Sequence, residues 1–253
     1  MAAELRSIVE FLDRELKTDV IPDYGGALNG LQLENSGRVT KIGSAVDATG
    51  PVIDKAIAAG VDLLIVHHGL FWQGAERITG SLFKKISSAI ANNLAIYSSH
   101  IPLDVHNQFG NNALLASEIA EANWEPFFDY KGIKLGLKAD VKGTASEVAT
   151  KVEEATGFPL LRPLNDGDRS AGCVGVITGG AGSEIGRMSA LGINTFVTGE
   201  APHWAAGIAE ESQVELVLGG HYATETFGVR AIAKHTADHH SCESEHISHP
   251  SFL

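Results

Sequence analysis

The stretch Val61-Asp-Leu-Leu-Ile-Val-His67-His68-Gly-Leu-Phe-Trp72 limits the possible folds more than any other part of the chain. A short apolar run, led by Gly60 and emptying into two histidines and a glycine, reads as a strand buried on both faces. Strands of that kind belong inside a parallel sheet. Ligands of open α/β sheets gather outside the carboxyl ends of such strands. Two imidazoles at that end suit a metal ion; the competing reading is one core histidine and one solvated one.

The segments around this strand alternate helix and strand. Leu5, Ile8, Val9, Leu12 and Leu16 recur at helical spacing, and Pro22 closes that region. Asn29-Gly-Leu-Gln32 is a turn leading into a short strand, and Ile42–Val46 is another. Pro51 to Ala59 reads as a helix, with the proline in its first turn and Gly60 at its end. Leu82, Ile86 and Ile90 mark a helix over 81–93, and Leu94–Tyr97 a strand that empties into His100-Ile-Pro-Leu-Asp104-Val-His106. Pro102 disfavours a continuous helix there, so His100 and Asp104 are expected on a loop.

In the middle, Gly132–Lys138 alternates like a strand with one wet face, and Thr144-Ala-Ser-Glu147 is a capping-box pattern for a helix that Gly157 stops. The polar stretch Leu164–Arg169 reads as a boundary. The first pattern then returns. A strand at 174–177 is followed by a helix at 183–191, a strand at 193–197 emptying into Thr198-Gly-Glu200, and a helix at 203–211. A strand at 214–218 then empties into Gly219-Gly-His221-Tyr-Ala-Thr-Glu225, before a last helix bearing Val229 and Ile232. At an offset of 132 residues, Gly43, Gly50, Ile53, Ala58 and Gly60 meet Gly175, Gly182, Ile185, Ala190 and Gly192, and His68 falls opposite Glu200. The repeated β-α-β-α-β order carries more weight than these identities. The expected fold is α/β, with two similar subdomains at 1–125 and 126–253 and a metal cleft between them at the strand ends.

Charge narrows the partners. A net charge of −12 argues against a nucleic-acid surface, which needs clustered Lys and Arg, and against an anionic membrane. No apolar run is long enough to span a bilayer, and the first residues lack the pattern of a signal peptide. Cys173 and Cys242 lie far apart in no metal-ligand spacing and suit reduced cytoplasmic thiols.

Eleven histidines are many. His67, His68, His100, Asp104, His106, His221 and Glu225 all follow strand ends. Imidazole and carboxylate without thiolate suit zinc, manganese or iron. Neighbouring residues of a strand face opposite ways, so His67 and His68 more naturally reach two different ions. His221 and Glu225, four apart, share a face in helical backbone. His106 reads as a loop histidine, and His100 either as a ligand or as a group orienting one. Glu200 and His203 are candidates for proton transfer. Phe71 and Trp72 read as packing. Arg38, Arg77, Lys84 and Lys85 are the candidates for phosphate contact. His235, His239, His240, His246 and His249 crowd the tail; a solvated face or a C-terminal strand is the simpler reading of them than a metal site.

His67-His68-Gly, Pro102-Leu-Asp104 with Gly110-Asn-Asn112, and Gly220-His221-Tyr-Ala-Thr-Glu225 resemble the motifs of the Nif-three-like family, whose members carry the name GTP cyclohydrolase 1 type 2. Asn29-Gly-Leu-Gln32 and Thr198-Gly-Glu200 match as well, so the resemblance covers nearly the whole chain. It implies a dinuclear centre between two α/β subdomains and a toroidal homohexamer. It further implies that His67, His68, Asp104, His221 and Glu225 are the ligands. Glu225 would bridge, with His67 and His221 on one ion and His68 and Asp104 on the other. The implied activity is hydrolysis of a nucleotide-like small molecule by a hydroxide held between two divalent ions. The rival reading is a metal-handling or scaffold protein. Longer members carry an inserted middle domain for which this chain lacks the length.

Overall fold

The computed structural model describes residues 2–72, 74, 76–159 and 167–251. The chain divides into two compact units, Met1–Leu103 with Gly228–His249, and Asp104–Phe227 with Pro250–Leu253. The division therefore falls at Leu103/Asp104 instead of at 125/126, and the last helix and strand return to the first unit. Of the polar stretch Leu164–Arg169, residues 164–166 lie outside the described ones.

The first unit runs β1 (Ala3–Glu4), α1 (Leu5–Leu16), β2 (Gly30–Leu33), β3 (Arg38–Val39), β4 (Lys41–Asp47), α2 (Gly50–Ala58), β5 (Leu63–His68), α3 (Gly80–Ala91) and β6 (Ala95–Ser98). The short α4 (Ile101–Asp104) follows. The second unit holds α5 (Asn111–Ile119), β7 (Glu125–Tyr130), β8 (Ile133–Thr144), α6 (Ala145–Thr156), β9 (Ser170–Val176), α7 (Ile185–Met188), β10 (Thr195–Thr198), α8 (Ala205–Ser212), β11 (Glu215–Leu218) and α9 (His221–Thr224). Then α10 (Thr226–His240) leads to β12 (Glu243–His246).

In the first unit the sheet order is β12-β4-β5-β6-β2, parallel except for β2 at its edge. Leu63 to Val66 of β5 are fully buried, as expected for a strand flanked on both sides and covered on both faces. Their core extends through Val52, Ile53 and Ala56 of α2, and Leu82 and Ala89 of α3. The tail does form a C-terminal strand, one of the two simpler readings of its histidines. Its sequence, Glu-Ser-Glu-His, carries no apolar alternation to place it. An edge strand needs only backbone pairing, here to Lys41–Ser44.

In the second unit the order is β11-β10-β9-β8-β7, with β9, β10 and β11 parallel and β8 and β7 antiparallel. The β-α-β-α-β order expected twice is present twice, in β4–β6 and in β9–β11. The expected helix at 183–191 is shorter. Only Ile185–Met188 is α-helical, between 3-10 turns at Ala181–Glu184 and Ser189–Leu191. The capping box forms: the Glu147 amide donates to Thr144 Oγ1 at 3.2 Å and the Thr144 amide to Glu147 Oε2 at 2.8 Å. Gly157 ends that helix at φ 64°, a left-handed conformation that glycine adopts without strain.

Among the described residues no helix is long and apolar enough to cross a membrane. Cys173 and Cys242 form no disulfide.

Candidate metal centre

The first unit places His67 and His68 by strand register. β4 and β5 pair so that Asp47 lies beside His68, and the His68 Nδ1 donates to Asp47 Oδ1 at 2.8 Å. On the other side, β5 and β6 pair Val66 with Ser98. His67, fully buried, donates its Nδ1–H to the Ser99 carbonyl at 2.9 Å. A carbonyl can only accept, so Nδ1 carries a proton. The two rings thus lean toward opposite neighbouring strands, with centroids 4.9 Å apart. Gly69 follows them, and a Cβ there would displace the Gln32 side-chain amide. That amide accepts from the Leu70 N–H and donates to the Leu28 carbonyl, both at 2.6 Å.

His100 joins them. The imidazole nitrogens of His67, His68 and His100 that could bind an ion lie within 4.8 Å of one another. The loop before β2 holds His100 at two points. Asp23 Oδ1 accepts from its Nδ1 at 2.9 Å, and Asn29 Oδ1 accepts from its backbone amide at 2.8 Å. Asp23 Oδ2 accepts from the Ile101 amide and from Asn29 Nδ2. Burial opposes ionisation of Asp23, yet the hydrogen bonds from His100, Asn29 and the Tyr24 amide prevail and hold its carboxyl below the usual range. Trp72 meets His68 and His100 edge-on, with centroids at 4.5 and 4.7 Å.

The expectation that His100 and Asp104 sit on an irregular loop is corrected. Ile101–Asp104 makes a helical turn, and Pro102 stands in its first turn, where its missing N–H costs nothing.

In the second unit Asp104 is 6% exposed. Asn111 Nδ2 donates to its Oδ1 at 2.8 Å. Asn112 Nδ2 donates to the Asp104 and Leu135 carbonyls, while Asn112 Oδ1 accepts from the Thr178 amide at 2.8 Å. The Gly110-Asn-Asn112 segment therefore ties Asp104 to the end of β9.

His221, Glu225 and Glu200 converge from neighbouring strand ends. His221 Nδ1 lies 3.0 Å from Glu200 Oε1, and Nε2 lies 3.2 Å from Glu225 Oε1. Glu225 is almost wholly buried, whereas the Glu200 side chain is 50% exposed. Burial alone would lower the His221 pKa; the two carboxylates outweigh it and raise it to about 9. A Cβ at Gly179, whose φ is +70°, would collide with the Glu225 carboxylate.

The remaining candidates lie apart. His203 is exposed on the turn before α8 and makes no side-chain hydrogen bond or ion pair among the described residues. His106 Nδ1 accepts from the Phe109 and Gln108 amides, the work of a loop histidine. Lys85 donates to the Ala48 carbonyl and Arg38 pairs with Glu4. His239 stacks on Phe11 at 4.3 Å, His240 meets the same ring edge-on, and His246 sits in β12. Among the described residues the tail histidines form no group of three donors. Asp23, Asp47 and Ser99 were missed from sequence. Asp47 had a signal, an acidic residue at a strand end. The other two had none, because their contacts span 77 and 32 residues.

These features define an α/β protein whose strand ends carry imidazole and carboxylate groups able to hold a metal ion. The family model described as Duf34/NIF3 (NGG1p interacting factor 3) matches residues 3–250, and the chain belongs to that family. It is 33% identical over 97% of its length to a GTP cyclohydrolase 1 type 2 homolog of Deinococcus radiodurans, of which it covers 93%. It is 34% identical to one of Archaeoglobus fulgidus, over 98% of this chain and 99% of that one. Protein ybgI, a solved structure described as of unknown function, superposes with a TM-score of 0.90 at 29% identity, over 99% of this chain and 100% of the other. TTHA1606 of Thermus thermophilus gives a TM-score of 0.85 at 31% identity, again over 99% of this chain and 100% of that one.

Proposed function

We propose that the chain is a metal-dependent hydrolase that holds a pair of divalent ions (zinc, manganese or iron) and acts on a nucleotide-like small molecule. One observation carries this reading. Every candidate imidazole donor has its Nδ1 engaged by an oxygen acceptor: the Ser99 carbonyl, Asp47, Asp23 and Glu200. An acceptor behind Nδ1 orients the ring and favours Nε2 as the ligand atom, and it accompanies nearly all metal-bound histidines; the His221 Nε2 already faces the Glu225 carboxylate. Nitrogen and oxygen donors without thiolate fit a borderline or hard divalent ion.

In this reading His67, His68, Asp104, His221 and Glu225 hold the ions, with Glu225 shared between them. When bound, a pair of such ions polarises a substrate oxygen and lowers the pKa of water. The chain's own groups prepare the site. Asn111 holds Asp104, Glu200 holds His221, and Asp47 holds His68. Glu200, half exposed, is the carboxylate that exchanges protons with solvent. The name of the relatives points to GTP as the first substrate to try. A homo-oligomer, in the form of a hexameric ring, belongs to the same proposal. Phe83 and Ile90, 56% and 61% exposed on α3, are apolar surface that a subunit contact would cover.

The test is formate release from GTP with metal content measured on the same sample, using added Zn, Mn or Fe and the Asp104→Ala variant. Release that tracks paired metal occupancy and vanishes in the variant is the expected result. Paired occupancy without turnover of any nucleotide would replace hydrolysis by metal handling.

A further inference from the structure

We propose that the groove between α2 and α3 binds a small phosphorylated polyol, such as a sugar phosphate, with Lys84 and Lys85 on its phosphate group. No candidate metal ligand lines this groove, so the inference stands apart from the reading above.

The pattern begins in the sequence of α3. Ser81, Lys84, Lys85 and Ser88 follow the i, i+3, i+4, i+7 spacing that makes one stripe of a helix. A stripe turned toward a neighbouring helix is ordinarily apolar, because burial is what holds two helices together. In α3 that task falls to Leu82 and Ala89, which face the core. The Ser-Lys-Lys-Ser stripe instead lines a cavity of about 430 Å³ shared with the first turn of α2. Ile53, fully buried, supplies an apolar wall. The volume falls within the roughly 300–1,000 Å³ of small-molecule pockets, which leaves room for more than a bare anion. Phe83 and Ile90 lie on the opposite side of α3, so a subunit contact over them leaves the stripe uncovered.

The charges in the groove define what it takes. Lys85 Nζ donates to the Ala48 carbonyl at 3.2 Å. A carbonyl orients an ammonium without neutralising it, and the remaining N–H groups stay free to donate. Ala48 directly follows β4, so the charge is held at a strand end, where ligands of such sheets collect. Lys84 lines the same cavity and makes no ion pair among the described residues. In a chain of net charge −12, two adjacent lysines without an acidic partner make a local field of the opposite sign, suited to a phosphate. Asp54 also lines the groove and pairs with neither lysine. Its carboxylate repels a free dianion but accepts hydrogen bonds from hydroxyl groups. Cations for a phosphate and a carboxylate for hydroxyls together select a phosphorylated polyol over inorganic phosphate.

The experiment is isothermal titration of the full chain, as purified and after chelation of its metal, with ribose 5-phosphate, inorganic phosphate and ribose as probes. Ribose 5-phosphate should bind equally in both preparations and about tenfold more tightly than inorganic phosphate, and ribose alone should not bind. Lys84→Gln and Lys85→Gln should each weaken binding by about tenfold, since each removes one charge from the phosphate contact while glutamine keeps the helix propensity. Asp54→Asn should abolish the preference over inorganic phosphate. Lys55→Gln is the control: Lys55 lies on α2 outside the groove and donates to the Ser248 carbonyl, so its loss should change affinity by less than about twofold. Circular dichroism establishes that each variant is folded. Unchanged affinity in both groove variants, an equal loss in Lys55→Gln, binding that disappears with the metal, or no binding of any probe by wild type would each overturn the proposal. Inorganic phosphate bound as tightly as ribose 5-phosphate would overturn the polyol assignment and reduce the groove to an anion site.

Discussion

The two units present their candidate donors in different chemistries. In the first, His67, His68 and His100 are nitrogen donors, and the oxygens of Ser99, Asp47 and Asp23 stand behind them. In the second, Glu225 and Glu200 are carboxylates on either side of the His221 imidazole, and Asp104, held by Asn111, is a third carboxylate. The same β-α-β-α-β order, ending in each unit at strand termini, thus carries a nitrogen-rich set in one case and an oxygen-rich set in the other. Donor type sorts ions: imidazole favours zinc, iron and copper, and carboxylate favours magnesium, calcium and manganese. A repeated scaffold can therefore hold unlike donor sets, because only the residues just past the strands need to differ.

The sharpest way to break this contrast is to remove one charge from the oxygen-rich set. Glu225→Gln keeps the shape of a nearly buried side chain and its hydrogen bond from His221, but lowers the donor strength. Manganese affinity should fall by about 100-fold or more, since a hard cation depends on ionised oxygen. Zinc affinity should fall too, since Glu225 is shared between the ions, but by less than about tenfold, because imidazoles carry more of its binding. Isothermal titration with each metal in turn measures both. Equal losses for manganese and zinc would mean that the two donor sets are not separable by ion type.

That contrast is only partly legible in the sequence. The apolar run ending in His67 and His68 announces its strand, and the spacing of His221 and Glu225 announces a helical pair. Both signals are local, and the structure bears out the strand and the pairing of the two side chains. What stands behind the histidines is hidden. Asp23 reaches His100 across 77 residues, and Ser99 reaches His67 across 32. No periodicity records a hydrogen bond closed by tertiary folding. β12 is hard to place from sequence because an edge strand of polar residues takes its stability from backbone pairing with β4. Its pairing also brings the last helix and strand into the first unit, a grouping that reading in chain order assigns to the second. The turn at Ile101–Asp104 reads as a loop only if proline is weighed as a breaker, and at the first turn of a helix it is tolerated.

The units should also respond to pH in opposite directions when metal is absent. In the second unit, the His221 pKa is raised to about 9 from 6.5. The folded state therefore binds the proton more tightly than the unfolded chain. Its stabilisation is complete below about 6.5 and is lost as pH rises through about 9. In the first unit His246 behaves in reverse. Burial first, and Arg230 second, lower its pKa to about 4, against the contact with Ser44. The unfolded chain then binds the proton more tightly, so stability present above about 6.5 is lost as pH falls toward about 4. Each effect is on the order of 2 kcal/mol, after allowing for partial exposure to water. Protection factors from hydrogen exchange at about pH 4.5, 7 and 9.5, which bracket the two transitions, would show it. β4 and β12 should weaken at the acid end, and β10 and β11 at the alkaline end. Loss of protection at the same end in both units would contradict the opposed shifts.

The smallest predicted difference concerns how the helices begin. In the second unit α6 starts at Thr144, whose side chain accepts from the Glu147 amide while Glu147 reaches back to the Thr144 amide. In the first unit α2 starts at Thr49, which makes no side-chain cap. The residue type is the same, so the capping residue alone would rank the two sites as equals. The difference comes from the residue at the third helical position. Glu147 can close the box, whereas Val52 stands at that position of α2 and cannot return a hydrogen bond. Thr144→Ala should therefore cost about 1 kcal/mol in denaturant unfolding, and Thr49→Ala no more than about a few tenths. If both substitutions cost the same, the Thr144 pairing contributes nothing beyond the residue's intrinsic preference, and the geometry of the box would be incidental to the stability of the second unit.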